Sequence, residues 1–183
     1  MRPLFLSFFL VFSVNCLDTK SPIQFLREEV RMDIDSGSVT VDGYYFFRNR
    51  TPEKKIAKLF PPFPVDSNHP HPDSVEVEGL AFQETHDGLT FVVDFATEGT
   101  TEVHVFYKQM LLTNHATYIL TTARQWGEPI SDALFTVTAP QDYQLILSYR
   151  PDSLKQEEGR ITCFIHEEEL FPHRELDVSW TEP

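Results

Sequence analysis

Residues 80–107 read LAFQETHDGLTFVVDFATEGTTEVHVFY. Within them Phe91, Val93 and Phe95 occupy every second position, as do Val103, Val105 and Tyr107 further on. A strand with one buried face produces this period of two, because successive side chains point to opposite sides of the pleat. His86-Asp87-Gly88 and Glu98-Gly99 interrupt the alternation with residues that suit tight turns. The stretch therefore predicts an antiparallel meander of three strands, Leu80 to Thr85, Leu89 to Phe95 and Val103 to Tyr107, joined by two hairpins.

The same reading extends in both directions. Upstream, Val30, Met32 and Ile34 alternate with Arg31, Asp33 and Asp35 until Ser36-Gly37 ends the strand. Val39 and Val41 then lead to Asp42-Gly43, a pair suited to a two-residue hairpin turn. Tyr44-Tyr45-Phe46-Phe47 is either buried on both faces or presents an aromatic ridge, and Asn49-Arg50-Thr51-Pro52 reads as a turn although it matches a glycosylation sequon. Lys54 to Phe60 is a further short strand. Downstream, Val75 to Val77, Thr117 to Thr122, Ala133 to Ala139, Tyr143 to Tyr149, Arg160 to His166 and Leu176 to Trp180 continue the series. Ser153 to Glu158 allows one helical turn, Phe106 to Asn114 is ambiguous, and no window carries a 3.6-residue apolar stripe over three turns. About ten to twelve short strands at roughly ten-residue spacing predict an all-β fold, an antiparallel, immunoglobulin-like two-sheet sandwich forming a single domain over 24–183.

Five of the 13 prolines fall in LFPPFPVDSNHPHPDSVEVEG, residues 59–79, which can be neither helix nor central strand. This segment reads as a rigid crossover from the N-terminal strands to the meander, with Phe60 and Phe63 pinned to the core.

The N-terminus, MRPLFLSFFLVFSVNC, pairs Arg2 with an apolar run from Leu4 to Val14 that is too short to span a bilayer as a helix. It reads as a secretory signal over 1–15, followed by a tether over 16–23. Ser13-Val14-Asn15-Cys16 resembles a relaxed bacterial lipobox, which implies either a lipid on Cys16 or ordinary cleavage nearby. Cys16 and Cys163 are the only cysteines, so a multi-disulfide scaffold is excluded and stability must come from a core, for which 16 Phe and 6 Tyr provide the material. The formal net charge of −13 argues against nucleic acid and against anionic membrane surfaces, leaving a lipid at Cys16 as the sole membrane link.

Candidate sites are few. His69 and His71, in His69-Pro70-His71, could hold a divalent metal together with Asp66 or Asp73, since imidazole and carboxylate suit zinc and related ions. The competing reading is ordinary turn material. Cys163 shares a strand face with Ile161 and Ile165, whereas His166 lies on the other, which makes Cys163 a buried apolar residue rather than a nucleophile. The acidic groups around Glu157 and Glu167 lack the spacing of a calcium site. No nucleophile elbow, phosphate-binding glycine loop or nucleotide fingerprint is present. Trp126, with Tyr44, Tyr45 or Phe63, could form a platform for a sugar ring or a partner's apolar side chain, the alternative being that Trp126 plugs one end of the sandwich.

ATYILTTARQWGEPISDALFTVTAP (116–140) and VDGYYFFRNRTPEKKIAKLFPPFPVD (41–66) resemble segments of uncharacterised bacterial envelope proteins of β-sandwich type. The resemblance implies that fold and an exported location, in the periplasm or on the outer surface, and assigns no active residue. The expectation is a non-enzymatic envelope protein, without a cofactor, that meets a protein or glycan partner through loops at one end of the sandwich. A carbohydrate-binding module using exposed aromatics and a small metal-dependent enzyme built on the His-Pro-His loop are the alternatives.

Overall fold

The structure, a computed structural model, describes residues 21–183; the signal and Cys16 lie outside the described residues. Two long strands, β1 (Ile23–Asp35) and β2 (Ser38–Asn49), form a hairpin whose turn is centred on Ser36-Gly37, with Gly37 at φ 72°. Next come β3 (Lys55–Leu59), β4 (Ser74–Val77), β5 (Phe82–Glu84), β6 (Leu89–Phe95) and β7 (Thr100–Met110). The chain continues through β8 (His115–Tyr118), a 3-10 turn at Thr121–Trp126, β9 (Ile130–Pro140), β10 (Gln144–Leu147), β11 (Ser153–Glu157), β12 (Arg160–Leu170) and β13 (Leu176–Thr181).

Seven strands make one large sheet in the order β11-β12-β9-β1-β2-β7-β4. Two three-stranded sheets, β10-β13-β8 and β3-β6-β5, pack on one face of it. Phe47 of β2 meets Phe95 of β6 edge-on at 5.8 Å, and Tyr118 of β8 packs on Phe135 of β9, so both small sheets contribute to a single core. The all-β sandwich predicted from the alternation is present.

Its details differ in four respects. Among the described residues there are thirteen strands, and β1 runs parallel to β9, so the large sheet is mixed rather than antiparallel. Asp42-Gly43 is not a turn. Gly43 sits inside β2 opposite Val30 and Val105, and its missing side chain is what admits the Tyr45 ring, since a methyl there would meet the Tyr45 hydroxyl. Ser153–Glu157 is an edge strand paired with β12, not a helical turn. Most instructively, β6 and β7 are not a hairpin: β6 pairs with β3 and β5, β7 with β2 and β4, and Glu98-Gly99 carries the chain from one layer to the other.

The proline segment does connect the first strands to the meander, with Phe63 only 2% exposed against Tyr107. Phe60, however, is 45% exposed. Leu59 takes the inward position at the end of β3, so alternation turns its neighbour outward.

Asn49 is buried at the end of β2 and organises the following turn. Its Oδ1 accepts from the Thr51 amide (3.0 Å) and hydroxyl (2.8 Å), while Nδ2 donates to the Glu53 carbonyl at 2.7 Å. Asn49→Ala removes these bonds, leaving the Thr51 amide without its acceptor while the Thr51 hydroxyl can still donate to the Glu53 carbonyl, and is expected to cost about 2 kcal/mol in denaturant unfolding. A loss below about 0.5 kcal/mol would mean the turn stands without it.

Candidate functional site

The feature that creates the site is a bulge in β1. The register against β2 shifts between Phe25 and Arg27. Ile23 and Phe25 point inward before it, and Glu28, Val30, Met32 and Ile34 point inward after it, so one extra residue puts a carboxyl on the apolar face. Glu28 is 1% exposed.

Glu28 lies at the base of a cavity of about 510 Å³. The two small sheets do not hydrogen-bond to each other, and the cavity occupies the seam between them above the large sheet: Tyr118 and the 3-10 turn border it on one side, β3, the proline segment and Phe91 on the other. Phe25, Phe47 and Trp126 form an aromatic wall, with ring centroids 4.9 Å apart for Phe25 and Phe47 and 5.1 Å for Phe47 and Trp126. The exposed Lys58, Phe60 and Gln125 stand at the rim. A volume of this size, mostly apolar with a few convergent polar groups, is what small-molecule sites offer.

The polar floor is Glu28 with three tyrosines. The Tyr118 hydroxyl lies 3.2 Å from Glu28 Oε2 and 3.1 Å from the Tyr45 hydroxyl, and with one proton it donates to one of them at a time. Glu28 Oε1 and the Tyr107 hydroxyl have no partner among the described residues. Burial pushes the Glu28 carboxyl up to about 8, against a smaller opposing effect of the Tyr118 hydrogen bond, so it is largely neutral at pH 7. Burial likewise raises Tyr107 and Tyr118.

Of the aromatic residues singled out from sequence, Trp126, Tyr45 and Phe63 all line this cavity. Tyr44 does not. It lies on the outer face of the large sheet, stacked on the His104 ring at 4.2 Å and beneath Arg31. His104 is bracketed by Asp42 and Glu78, and although partial burial works against its charge, those two hydrogen bonds raise its pKa.

The histidines of the proline segment are engaged locally. Asp66 Oδ1 accepts from the Asn68 amide (2.7 Å) and the His69 amide (2.9 Å) and faces His69 Nδ1 at 2.9 Å, and these contacts lower the Asp66 pKa, the Asn68 bond contributing most. The His69 side chain is buried beside His115, while the two nitrogens of His71 face the carbonyl oxygens of Pro72 and Thr85. Asp73 is exposed, its amide bonded to the Lys108 carbonyl. No group of three potential metal ligands occurs among the described residues. Cys163 is buried in β12, where burial raises its thiol pKa, and His166 on the opposite face pairs with Asp132.

No protein-family model and no curated protein sequence matches the chain. Among solved structures, one similar in fold is a "putative nutrient binding protein" from Legionella pneumophila. It aligns with a TM-score of 0.68 at 14% identity over 88% of this chain and 68% of that one. An M1 zinc metallopeptidase from Deinococcus radiodurans aligns with a TM-score of 0.53 at 11% identity over 86% of this chain, which spans only 42% of the enzyme. At such identities the likeness concerns the fold alone.

Glu28, Tyr107 and Tyr118 were not among the residues singled out from sequence. A signal for Glu28 existed: stepping back by two from Ile34, Met32 and Val30 puts a glutamate at the next inward position.

Proposed function

We propose that this chain is a non-enzymatic, exported binding module whose ligand is a small molecule seated in the seam cavity. The observation that carries the reading is that two residues lining the cavity, Glu28 and Tyr107, each hold a buried polar atom, Oε1 and the hydroxyl, with no partner among the described residues. Leaving such a group unpaired costs about 1–3 kcal/mol, a penalty that a ligand bonding to it removes. Export is supported by the apolar run from Leu4 to Val14, and a bacterial envelope location by the four residues that end at Cys16. The role is of the same kind as the nutrient binding in the description of the Legionella protein.

The cavity is tested with Nile red, a neutral apolar dye. Wild-type protein is expected to bind one dye per chain with a rise in emission. Ala123→Phe, which fills the cavity from the 3-10 turn, is expected to lose that binding while keeping a cooperative thermal transition. Equal binding by the two proteins would place the site elsewhere.

A further inference from the structure

The cavity floor and wall together specify a ligand class, an inference that rests on the cavity being the binding site. The polar groups at the floor come from four strands: Glu28 from β1, Tyr45 from β2, Tyr107 from β7 and Tyr118 from β8. Among the described residues, the one basic residue in the lining is Lys58 of β3, and it is exposed at the rim. An anionic head group would therefore be buried at the floor with no counter-charge and a carboxyl for company, which is strongly unfavourable. Glu28 Oε2 is already within reach of the Tyr118 hydroxyl, and Oε1 has no partner among the described residues. Protonated, the carboxyl can donate as well as accept, but once a cation displaces its proton it only accepts. The charged polar end that fits is thus a donor. The rings of Phe25, Phe47 and Trp126 in the lining offer an apolar body a surface to pack on, and the net charge of −13 attracts cations from a distance.

We propose that the cavity binds a small organic amine in its ammonium form, the ammonium bonded to Glu28 and its apolar body packed against Phe25, Phe47 and Trp126. Binding is then linked to a proton. In the free protein Glu28 holds its proton at pH 7, because burial keeps its pKa at about 8. Ionic pairing needs the carboxylate, so that proton leaves to solvent as the ammonium arrives. The three tyrosines that share the floor with Glu28 do not compete, since burial raises each of their pKa values. Affinity should therefore rise with pH up to about 8 and level off until the amine itself deprotonates near pH 10.

The test compares three probes of one shape by isothermal titration: 2-phenylethylamine, 2-phenylethanol and phenylacetate. The amine is expected to bind at least about tenfold tighter than the alcohol at pH 8.5, the scale of one charge-assisted hydrogen bond, and phenylacetate is expected not to bind. In buffers of different ionisation enthalpy, about one proton should be released per amine bound at pH 6.5 and few at pH 9. Glu28→Gln should bring the amine-to-alcohol affinity ratio to about one. An alcohol that matches the amine, a phenylacetate that exceeds it, or amine binding without proton release overturns the amine assignment. So does failure of all three probes in protein that still takes up Nile red, and in each of these cases the cavity reading survives. Failure of the probes and of the dye together removes both.

Discussion

Raising the pH from 5 to 9 is expected to cost the protein about 4 kcal/mol of stability through Glu28 alone, and Glu28→Gln is expected to remove that loss. The folded protein holds this carboxyl at about 8 because it is buried, whereas its ordinary value is 4.5. Between those two values the folded state binds the proton that the unfolded chain has released, so stability falls as pH rises. Each pH unit between them is worth about 1.4 kcal/mol, and the loss is complete once pH passes the folded value. Other groups contribute their own slopes. His104, with a raised pKa, also loses stability as pH rises, and Asp66, with a lowered one, loses it as pH falls. The difference between wild type and Glu28→Gln cancels both, since neither residue shares a hydrogen bond with Glu28. Urea unfolding across the range should show the two proteins close at pH 5 and the variant more stable at pH 9. Parallel curves would mean that Glu28 ionises normally in the folded protein.

Phe95→Ala is expected to cost about 3–5 kcal/mol. Phe95 is 0% exposed at the end of β6, where its ring meets Phe47 of β2 at 5.8 Å and 72°. It is one of the side chains through which the β3-β6-β5 sheet grips the large one, and truncation leaves a hole between layers whose strands do not pair with each other. Val92→Ala is the control: on the same strand but 54% exposed, it should change stability by less than about 0.5 kcal/mol. If the two variants lose equal stability, the aromatic contact between the layers is not what holds the small sheet in place.

Much of the fold was legible because alternation reports burial directly. Val103, Val105 and Tyr107 are inward on β7 as their spacing implies, and so are Cys163 and Ile165 on β12. The cavity was legible only in pieces. Trp126, Tyr45 and Phe63 stood out as aromatics, yet they lie on a 3-10 turn, a strand and a proline segment that nothing local brings together. Glu28 was hidden by the bulge: counted from Ile23 and Phe25 it should face water, counted from Val30 it should not, and only the pairing with β2 places the extra residue. Asp42-Gly43 misled for a related reason. The same pair can make a turn or clear room for a neighbouring ring, and the Tyr45 side chain determines which.

The sequence by itself determined that this chain is built of strands with one apolar face, where most of them lie, and that a core rather than disulfides must stabilise them. These follow from how each strand divides its side chains between water and interior. Tertiary structure alone decided that β6 leaves β7 for the other layer, that β1 runs parallel to β9, and that two small sheets meet over the large one without joining. Partner choice belongs to segments far apart in the chain, and the alternation of a strand is the same whichever neighbour accepts its hydrogen bonds. The seam left between the two small sheets is the cavity, and it is there that a glutamate carried inward by a one-residue bulge acquires its proton and its proposed ligand.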